Sequence, residues 1–341
     1  MAETLEVFGQ APEGGDVHLV EISGGGLTAR VMTWGAVIQD LRLAGHRPPL
    51  VLGFDRFTDY PAHSRYFGAI AGRYANRIAN GRFTLDGETF EVERNQAGRH
   101  HLHGGTAGTG KRLWRIEDHG ADFVRLAVDL PDGEMGYPGN LAVGCTYTLT
   151  RPGVLAVELT AKTDRATLCN LAQHSYFNLE DGGATDVLDH QVDIDAQSYI
   201  PVDGDSIPTG EIASVAGSPF DFREPRPIRF EVGGEAIGYD HNFCLAPARR
   251  NIQRVAGVRA PHSGVEMQVW TTEPGIQFYT GQKLDTPVPG LTGRPYGPFA
   301  GLCFEPQVWP DSPNHANFPS AILRPGQTYR QETQYRFSMR A

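Results

Sequence analysis

Apolar and polar residues alternate with a period of two at many points along the chain. In Val124-Arg-Leu126-Ala-Val128-Asp-Leu130 the large apolar residues share one face, and Leu155-Ala-Val157-Glu-Leu159-Thr-Ala161-Lys162 repeats the pattern. Cys145-Thr-Tyr147-Thr-Leu149 and Val265-Glu-Met267-Gln-Val269 do so again. Successive side chains of a strand point to opposite faces, so these segments predict strands with one face on a core and the other on polar surroundings. Turn formers separate such segments, as in Gly24-Gly25-Gly26, Leu85-Asp86-Gly87-Glu88, Pro131-Asp132-Gly133 and Arg151-Pro152-Gly153. No helical period persists beyond about two turns, and strands do not alternate with long helices. The pattern predicts an all-β protein, a large antiparallel β-sandwich, with residues 1–341 forming one domain.

Composition agrees. The 41 glycines and 24 prolines are too much punctuation for a helical bundle. The Pro/Gly-rich segments 285–298 and 305–326 carry Tyr296, Trp309 and Phe318, which a floppy linker would not need, so they read as long ordered loops. The formal net charge of -10, with no Lys/Arg run longer than two, argues against a nucleic-acid or anionic-membrane partner. The opening Met1-Ala-Glu-Thr-Leu-Glu carries acids where a signal peptide carries bases, and no apolar run is long enough to span a membrane. Cys145, Cys169, Cys244 and Cys303 are widely spaced, without a Cys-x-x-Cys pair. They read as thiols, most of them buried, in a reducing compartment, and a cytoplasmic location is expected.

Three tempting motifs fail. Gly105-Thr-Ala-Gly-Thr-Gly110-Lys111-Arg112 nearly matches a phosphate-cradling loop, but Arg112 stands where Ser or Thr should hold magnesium and no helix pattern comes after it. His101-Leu-His103 could supply two metal ligands, yet the next His or Glu is Glu117, so a third donor is missing locally. Gly24-Gly25-Gly26 opens no helix and reads as a turn.

There remains a set of polar side chains inside strand-like or aromatic surroundings: His174 in Asn170-Leu-Ala-Gln-His-Ser-Tyr-Phe-Asn178, Asp240 in Gly238-Tyr-Asp-His-Asn-Phe243, Gln277 in Pro274-Gly-Ile-Gln-Phe-Tyr279, and Glu305 in Leu302-Cys-Phe-Glu-Pro-Gln307. Arg73 and Arg77 flank Asn76. A carboxylate after Leu-Cys-Phe, if buried, has its pKa pushed up by desolvation, which suits a general base near neutral pH. The alternative is an edge-strand Glu facing water, just as a lone His174 is commonly structural. Periodicity decides neither.

Taken together these segments, with Trp34-Gly-Ala36, Val51-Leu-Gly-Phe-Asp55, Gly72-Arg-Tyr-Ala-Asn-Arg-Ile78, Leu102-His-Gly-Gly105, Gly133-Glu-Met-Gly-Tyr-Pro-Gly-Asn140 and Pro310-Asp-Ser-Pro-Asn-His-Ala-Asn-Phe-Pro319, resemble the aldose 1-epimerase (galactose mutarotase) family over nearly the whole chain. The resemblance implies interconversion of the α and β anomers of a free aldose, with no cofactor and no metal. It implies Glu305 as the base at the C1 hydroxyl, His174 as the acid at the ring oxygen, and His103 as a second active-site histidine. Asn76, Arg77, Asp240 and Gln277 match the family's sugar-hydroxyl partners. The implied partner is a small-molecule aldose, bound by a monomer or homodimer.

Two departures stand out. The loop after Leu-His-Gly-Gly reads Gly108-Thr-Gly-Lys111 instead of the usual aromatic-Asp-Lys run, which bears on substrate preference. Pro306 sits between Glu305 and Gln307, where it stiffens the backbone. Two other readings stay open at this point. A hexose 6-phosphate epimerase would need cations at the pocket mouth, with Arg73, Lys111 and Arg112 as candidates. A silent sugar-binding β-sandwich would share the fold without the chemistry. His63, His190 and His262 read as surface or turn residues.

Overall fold

The computed structural model describes residues 5–340; Met1–Thr4, part of the acidic opening stretch, and Ala341 lie outside the described residues. The alternating segments pair into a nine-stranded antiparallel sheet. Its spatial order is Arg115–His119, Phe123–Leu130, Leu141–Arg151, Val154–Thr163, Tyr329–Met339, Val265–Thr271, Gln253–Arg259, Gln191–Ile194 and Arg226–Pro227. A four-stranded meander (Glu6–Gln10, Asp16–Gly24, Leu27–Met32, Val37–Leu43) forms a second sheet. A five-stranded sheet orders Ala213–Ser214, Ser198–Tyr199, Asp240–Cys244, Gly275–Tyr279 and Cys303–Gln307.

One apolar cluster joins all three sheets. Ile22, Val31 and Ile38 come from the meander, Leu126, Leu159 and Val269 from the large sheet, and Phe243, Ile276, Phe278 and Phe304 from the five-stranded sheet. The central strands Val154–Thr163, Tyr329–Met339 and Val265–Thr271 of the large sheet bury alternate residues over most of their length. In Val265–Thr271, for example, Val265, Met267, Val269 and Thr271 are buried and the residues between them are not. This is the one-sided burial that their alternation predicts. The sandwich reading therefore holds.

Turn chemistry behaves as read. Asp86 (φ 51°) and Gly87 (φ 84°) link Leu85 to Glu88 in a two-residue turn with both central residues left-handed, the type I′ form that matches strand twist. Pro152-Gly153 joins Arg151 to Val154 in the same two-residue manner.

Two expectations need correction. Segment 305–326 is not loop throughout: Glu305, Pro306 and Gln307 complete the Cys303–Gln307 strand. The chain turns only beyond Gln307, with a short 3-10 helix at Ser312–Asn314 and a strand at Ile322–Leu323. Pro306 is tolerated because this is the edge strand of its sheet, so the missing N–H costs no second ladder. His190 is a turn residue but not a surface one: it is buried and its Nε2 accepts a 3.2 Å bond from the Leu179 N–H. A buried turn needs internal partners for its backbone, and His190 supplies one.

The large sheet also reaches across to the small one with hydrogen bonds. From the Tyr329–Met339 strand, Gln331 Nε2 donates to the Pro306 carbonyl (2.8 Å) and Tyr335 Oη donates to the Phe304 carbonyl (3.0 Å). Behind the 303–307 strand, the Phe304 ring stacks on Phe278 at 5.0 Å, and Phe278 on Tyr239 at 5.4 Å. Phe278→Ala removes the middle of that stack. It is expected to cost about 3–5 kcal/mol, read as a lower urea midpoint at unchanged m-value.

Candidate active site

The 303–307 strand is buried on both faces, with Glu305 2 % exposed. The strand does lie at the edge of its sheet, but its carboxylate does not face water. Glu305 lies directly across from Gln277 on the neighbouring strand, and Gln277 across from Asn242. Directly opposed residues share a sheet face, so a polar row runs over the apolar sheet. His174, which directly succeeds the short strand Ala172–Gln173, is held by its backbone: its N–H donates to the Ala69 carbonyl (2.9 Å) and its carbonyl accepts from the Gly68 N–H (3.0 Å). This places His174 Nε2 at 3.5 Å from Glu305 Oε2.

Asn76 and His103 hold each other. The Asn76 N–H donates to His103 Nδ1 (3.1 Å), and the His103 N–H donates to the Asn76 carbonyl (3.0 Å). Because Nδ1 accepts, the neutral ring carries its proton on Nε2, which makes it a donor there. Both residues take left-handed φ values, 66° and 52°. That conformation costs a non-glycine residue on the order of 1–2 kcal/mol, and such strain gathers at functional sites. The next residue must be glycine: Gly104 has φ 84° and a Cβ there would strike the Gly72 carbonyl. The Leu-His-Gly-Gly motif is thus a turn that points His103 inward.

Arg77 pairs through its short strand Arg77–Ile78 with His101–Leu102. Its guanidinium donates to Gln96 Oε1 (3.0 Å) and lies 3.5 Å from Asp240 Oδ2. Gln277 Nε2 donates to Asp240 Oδ1 at 2.7 Å, while Gln277 Oε1 accepts from Gln307 Nε2 at 3.4 Å. Asp240 is therefore gripped from both sides.

These groups converge on one cavity of about 350 Å³, at the small end of the range of about 300–1,000 Å³ for ligand sites. Its wall includes Asn76, Arg77, His103, His174, Asp240 and Glu305. Gln277 is not at the wall; it stands behind Asp240 and fixes it. Tyr66, Tyr176 and Tyr279 add aromatic surface, and Arg65 and Lys283 stand at the exposed rim. Composition and periodicity mark none of these five, although Tyr176 and Tyr279 lie within the segments that carry the family resemblance. Tyr66 is the most informative of them: its ring contacts both His103 (4.6 Å) and His174 (6.0 Å), and it too has a left-handed φ of 62°.

The three candidate phosphate-binding cations fare differently. Arg73 is buried and donates to the carbonyls of Pro138 (3.0 Å) and Gly139 (2.8 Å), away from the cavity. Arg112 is paired with Glu134. Lys111 lies over the Tyr66 ring, its Nζ 5.1 Å from the ring centre, and is not among the residues of the cavity wall.

Burial controls the ionisation of the site. Desolvation, reinforced by the Asp240 charge and opposed by Arg77, holds the Glu305 carboxyl well above the usual carboxylate range. Desolvation also lowers His174, to about 4. His103 lies well below the usual imidazole range, through burial first and then the neighbouring His174 and Arg77. Glu305 Oε2 has no hydrogen-bond partner among the described residues, so a buried acceptor is left for a ligand hydroxyl.

Atoms of His174, Cys303 and Glu305 come within 4.8 Å of one another, the count of a three-donor metal site. Cys303 Sγ, however, sits at His174 Nδ1 (3.6 Å) while Glu305 sits at Nε2. One ion cannot use both ring nitrogens, so this geometry suits proton transfer better than ligation. His101 is spent on structure, bonding the Glu93 carbonyl through Nδ1 and the Tyr137 hydroxyl through Nε2, each at 2.7 Å.

The fold is all-β, and its small polar cavity brings a buried imidazole and a buried carboxyl together. The family model for aldose 1-epimerase matches residues 18–336. The galactose mutarotase of Sus scrofa is 42% identical over 343 residues, covering 98% of each chain. That of Homo sapiens is 41% identical over 98% of each. The aldose 1-epimerase of Escherichia coli K12 is 37% identical, covering 96% of this chain and 97% of its own. Among solved structures, an aldose epimerase homologue from C. elegans superposes with a TM-score of 0.87 at 31% identity, covering 95% of this chain and all of the other. The chain belongs to the aldose 1-epimerase family. It is an isomerase acting on aldose sugars, and no helix among its described residues is long and apolar enough to cross a membrane.

A buried carboxyl with a raised pKa binds its proton more tightly in the folded than in the unfolded state. Stability from that group is present at low pH and lost as pH rises through the folded pKa. Glu305→Gln is therefore expected to melt higher than the parent by a few degrees, with a larger margin at pH 9 than at pH 5. Equal margins in thermal scans would refute a desolvated Glu305.

Proposed function

We propose that Glu305 and His174 carry the anomer interconversion of a free aldose such as galactose or glucose. The observation that carries this reading is the unpartnered, buried Glu305 Oε2 facing His174 Nε2 at the wall of the cavity. Burial favours an uncharged pair, Glu305 protonated and His174 neutral. Passage of that one proton from carboxyl to imidazole creates a carboxylate base and an imidazolium acid together, with no change in net charge.

Glu305 then takes the proton of the C1 hydroxyl while His174 protonates the ring oxygen. The C1–O5 bond breaks, its electron pair going to O5, and C1 becomes the aldehyde carbon. Rotation about C1–C2 presents the other face, and reclosure runs both transfers backwards. Neither transfer is favourable alone near pH 7; positioned acids and bases typically contribute about 10²–10⁴-fold each. The Nε2–H of His103 donates to oxygen carrying developing charge. Asn76, Arg77 and Asp240 bind sugar hydroxyls, and each is left unpaired by a sugar that lacks its hydroxyl. Gln277 acts one step back, by orienting Asp240.

We read residues 1–341 as one domain, since a single apolar core supports all three sheets. The four free thiols suit a reducing cytoplasm.

Polarimetry of freshly dissolved α-galactose and α-glucose tests the assignment. Glu305→Gln and His174→Asn should each lower kcat by about 10²–10⁴-fold with smaller changes in KM; wild-type acceleration in both would remove the mechanism. The pH dependence of kcat/KM should be bell-shaped. It falls below about pH 4, where a second proton occupies the pair, and falls again at alkaline pH, where the last proton leaves. A profile flat across both limbs would contradict a titrating pair.

A further inference from the structure

Cys303 and Glu305 stand two residues apart on one strand and so share a face. The two nitrogens of His174 are divided between them: Nε2 faces Glu305 Oε2 at 3.5 Å, and Nδ1 faces Cys303 Sγ at 3.6 Å. Cys303 is completely buried, and its sulfur is the only partner of Nδ1 among the described residues. We propose that Cys303 is a positioning residue for the reaction, a deliberately weak hydrogen-bond acceptor that keeps the proton of neutral His174 on Nδ1, leaves Nε2 bare toward Glu305, and keeps the imidazolium strongly acidic.

Sulfur serves one ring state of His174 and neglects the other. In the neutral imidazole the proton sits on Nδ1 and donates to the Cys303 sulfur, which leaves Nε2 bare to take the proton of Glu305 and present it to the sugar. Burial holds the Cys303 thiol well above its usual range, so it stays a neutral thiol and never the thiolate that would stabilise an imidazolium. When the ring becomes imidazolium, Nδ1–H needs an acceptor, and a thiol sulfur is a poor one. A carboxylate at this position would stabilise the imidazolium, as in a Ser-His-Asp triad, and would blunt it as an acid. A sulfur withholds that stabilisation.

The other titratable groups around His174 leave Nδ1 to Cys303. Glu305 faces Nε2, Tyr66 and Tyr176 stack on the ring faces at 6.0 and 5.2 Å, His103 meets the ring edge-on at 5.2 Å, and Asp240 acts on it through its charge. The proposal rests on His174 being the acid.

Cys303→Ser and Cys303→Ala are the variants to compare with the parent, by pH–rate profile and thermal denaturation. A serine hydroxyl accepts from Nδ1–H better than sulfur, so Cys303→Ser should move the acid limb of kcat/KM to higher pH and lower kcat about threefold to tenfold, with KM within about twofold. Cys303→Ala should lower kcat without moving that limb upward. In nitrogen NMR of the free parent enzyme at pH 7, His174 should carry its proton on Nδ1, and the Ala variant should show a mixture of tautomers. Unchanged acid limb and kcat in both folded variants, or a parent ring protonated on Nε2, overturns the proposal. A loss of melting temperature with an unmoved profile also overturns it, assigning Cys303 to packing alone. If His174→Asn retains full activity, the acid assignment itself fails, whatever the Cys303 variants do.

Discussion

A carboxyl group is held out of water at Glu305, and much of the molecule exists to hold it there. Desolvating an unpaired carboxylate costs on the order of several kcal/mol, so the supporting strand cannot be left to relax. The 303–307 strand has the Gly275–Tyr279 strand on one side, the Phe278 and Tyr239 rings behind it, and hydrogen bonds from Gln331 and Tyr335 on two of its carbonyls. Each device acts on the backbone or on the face away from the cavity. Glu305 itself stays free to meet a hydroxyl.

The same constraint explains the unusual backbone on the opposite wall. Asn76, His103 and Tyr66 all sit in left-handed conformations, a cost tolerated because their bonds and ring contacts over-determine them. The Asn76–His103 exchange fixes which nitrogen of His103 is a donor, and Tyr66 spans the two histidines. Strained turns on one wall and a buried strand on the other give a cavity whose polar atoms are oriented before any sugar arrives.

How far this was legible in the sequence depends on segment length. Strands such as Phe123–Leu130 and Val154–Thr163 are long enough for a period of two to show, and the turn at Asp86-Gly87 has a composition that only one turn type favours. The site is built from pieces too short for any period. Arg77–Ile78, His101–Leu102 and Ala172–Gln173 are two-residue strands, defined by what crosses them in space. Burial of Glu305 and His190 was likewise invisible, because a polar residue signals its depth only through partners distant in sequence. The family resemblance named Glu305, His174 and His103, yet it could not show that Gln277 stands behind Asp240. Nor could it show that Arg73, an apparent pocket cation, is pinned to carbonyls elsewhere.

The Tyr329–Met339 strand carries a further consequence. It lies between Val154–Thr163 and Val265–Thr271 in the middle of the large sheet, and it donates the hydrogen bonds that secure the catalytic strand. During synthesis every other strand of that sheet leaves the ribosome before it, at roughly 5–20 residues per second. Until it arrives, the 154–163 and 265–271 strands each present an open edge, and the backbone around Glu305 lacks its brace. Assembly of the sheet and assembly of the site are thus a single late event, governed by contacts of high sequence separation, which are the slow ones to form. A nascent chain of this architecture depends on protection of the 154–163 edge from the synthesis of that strand until the Tyr329–Met339 strand emerges.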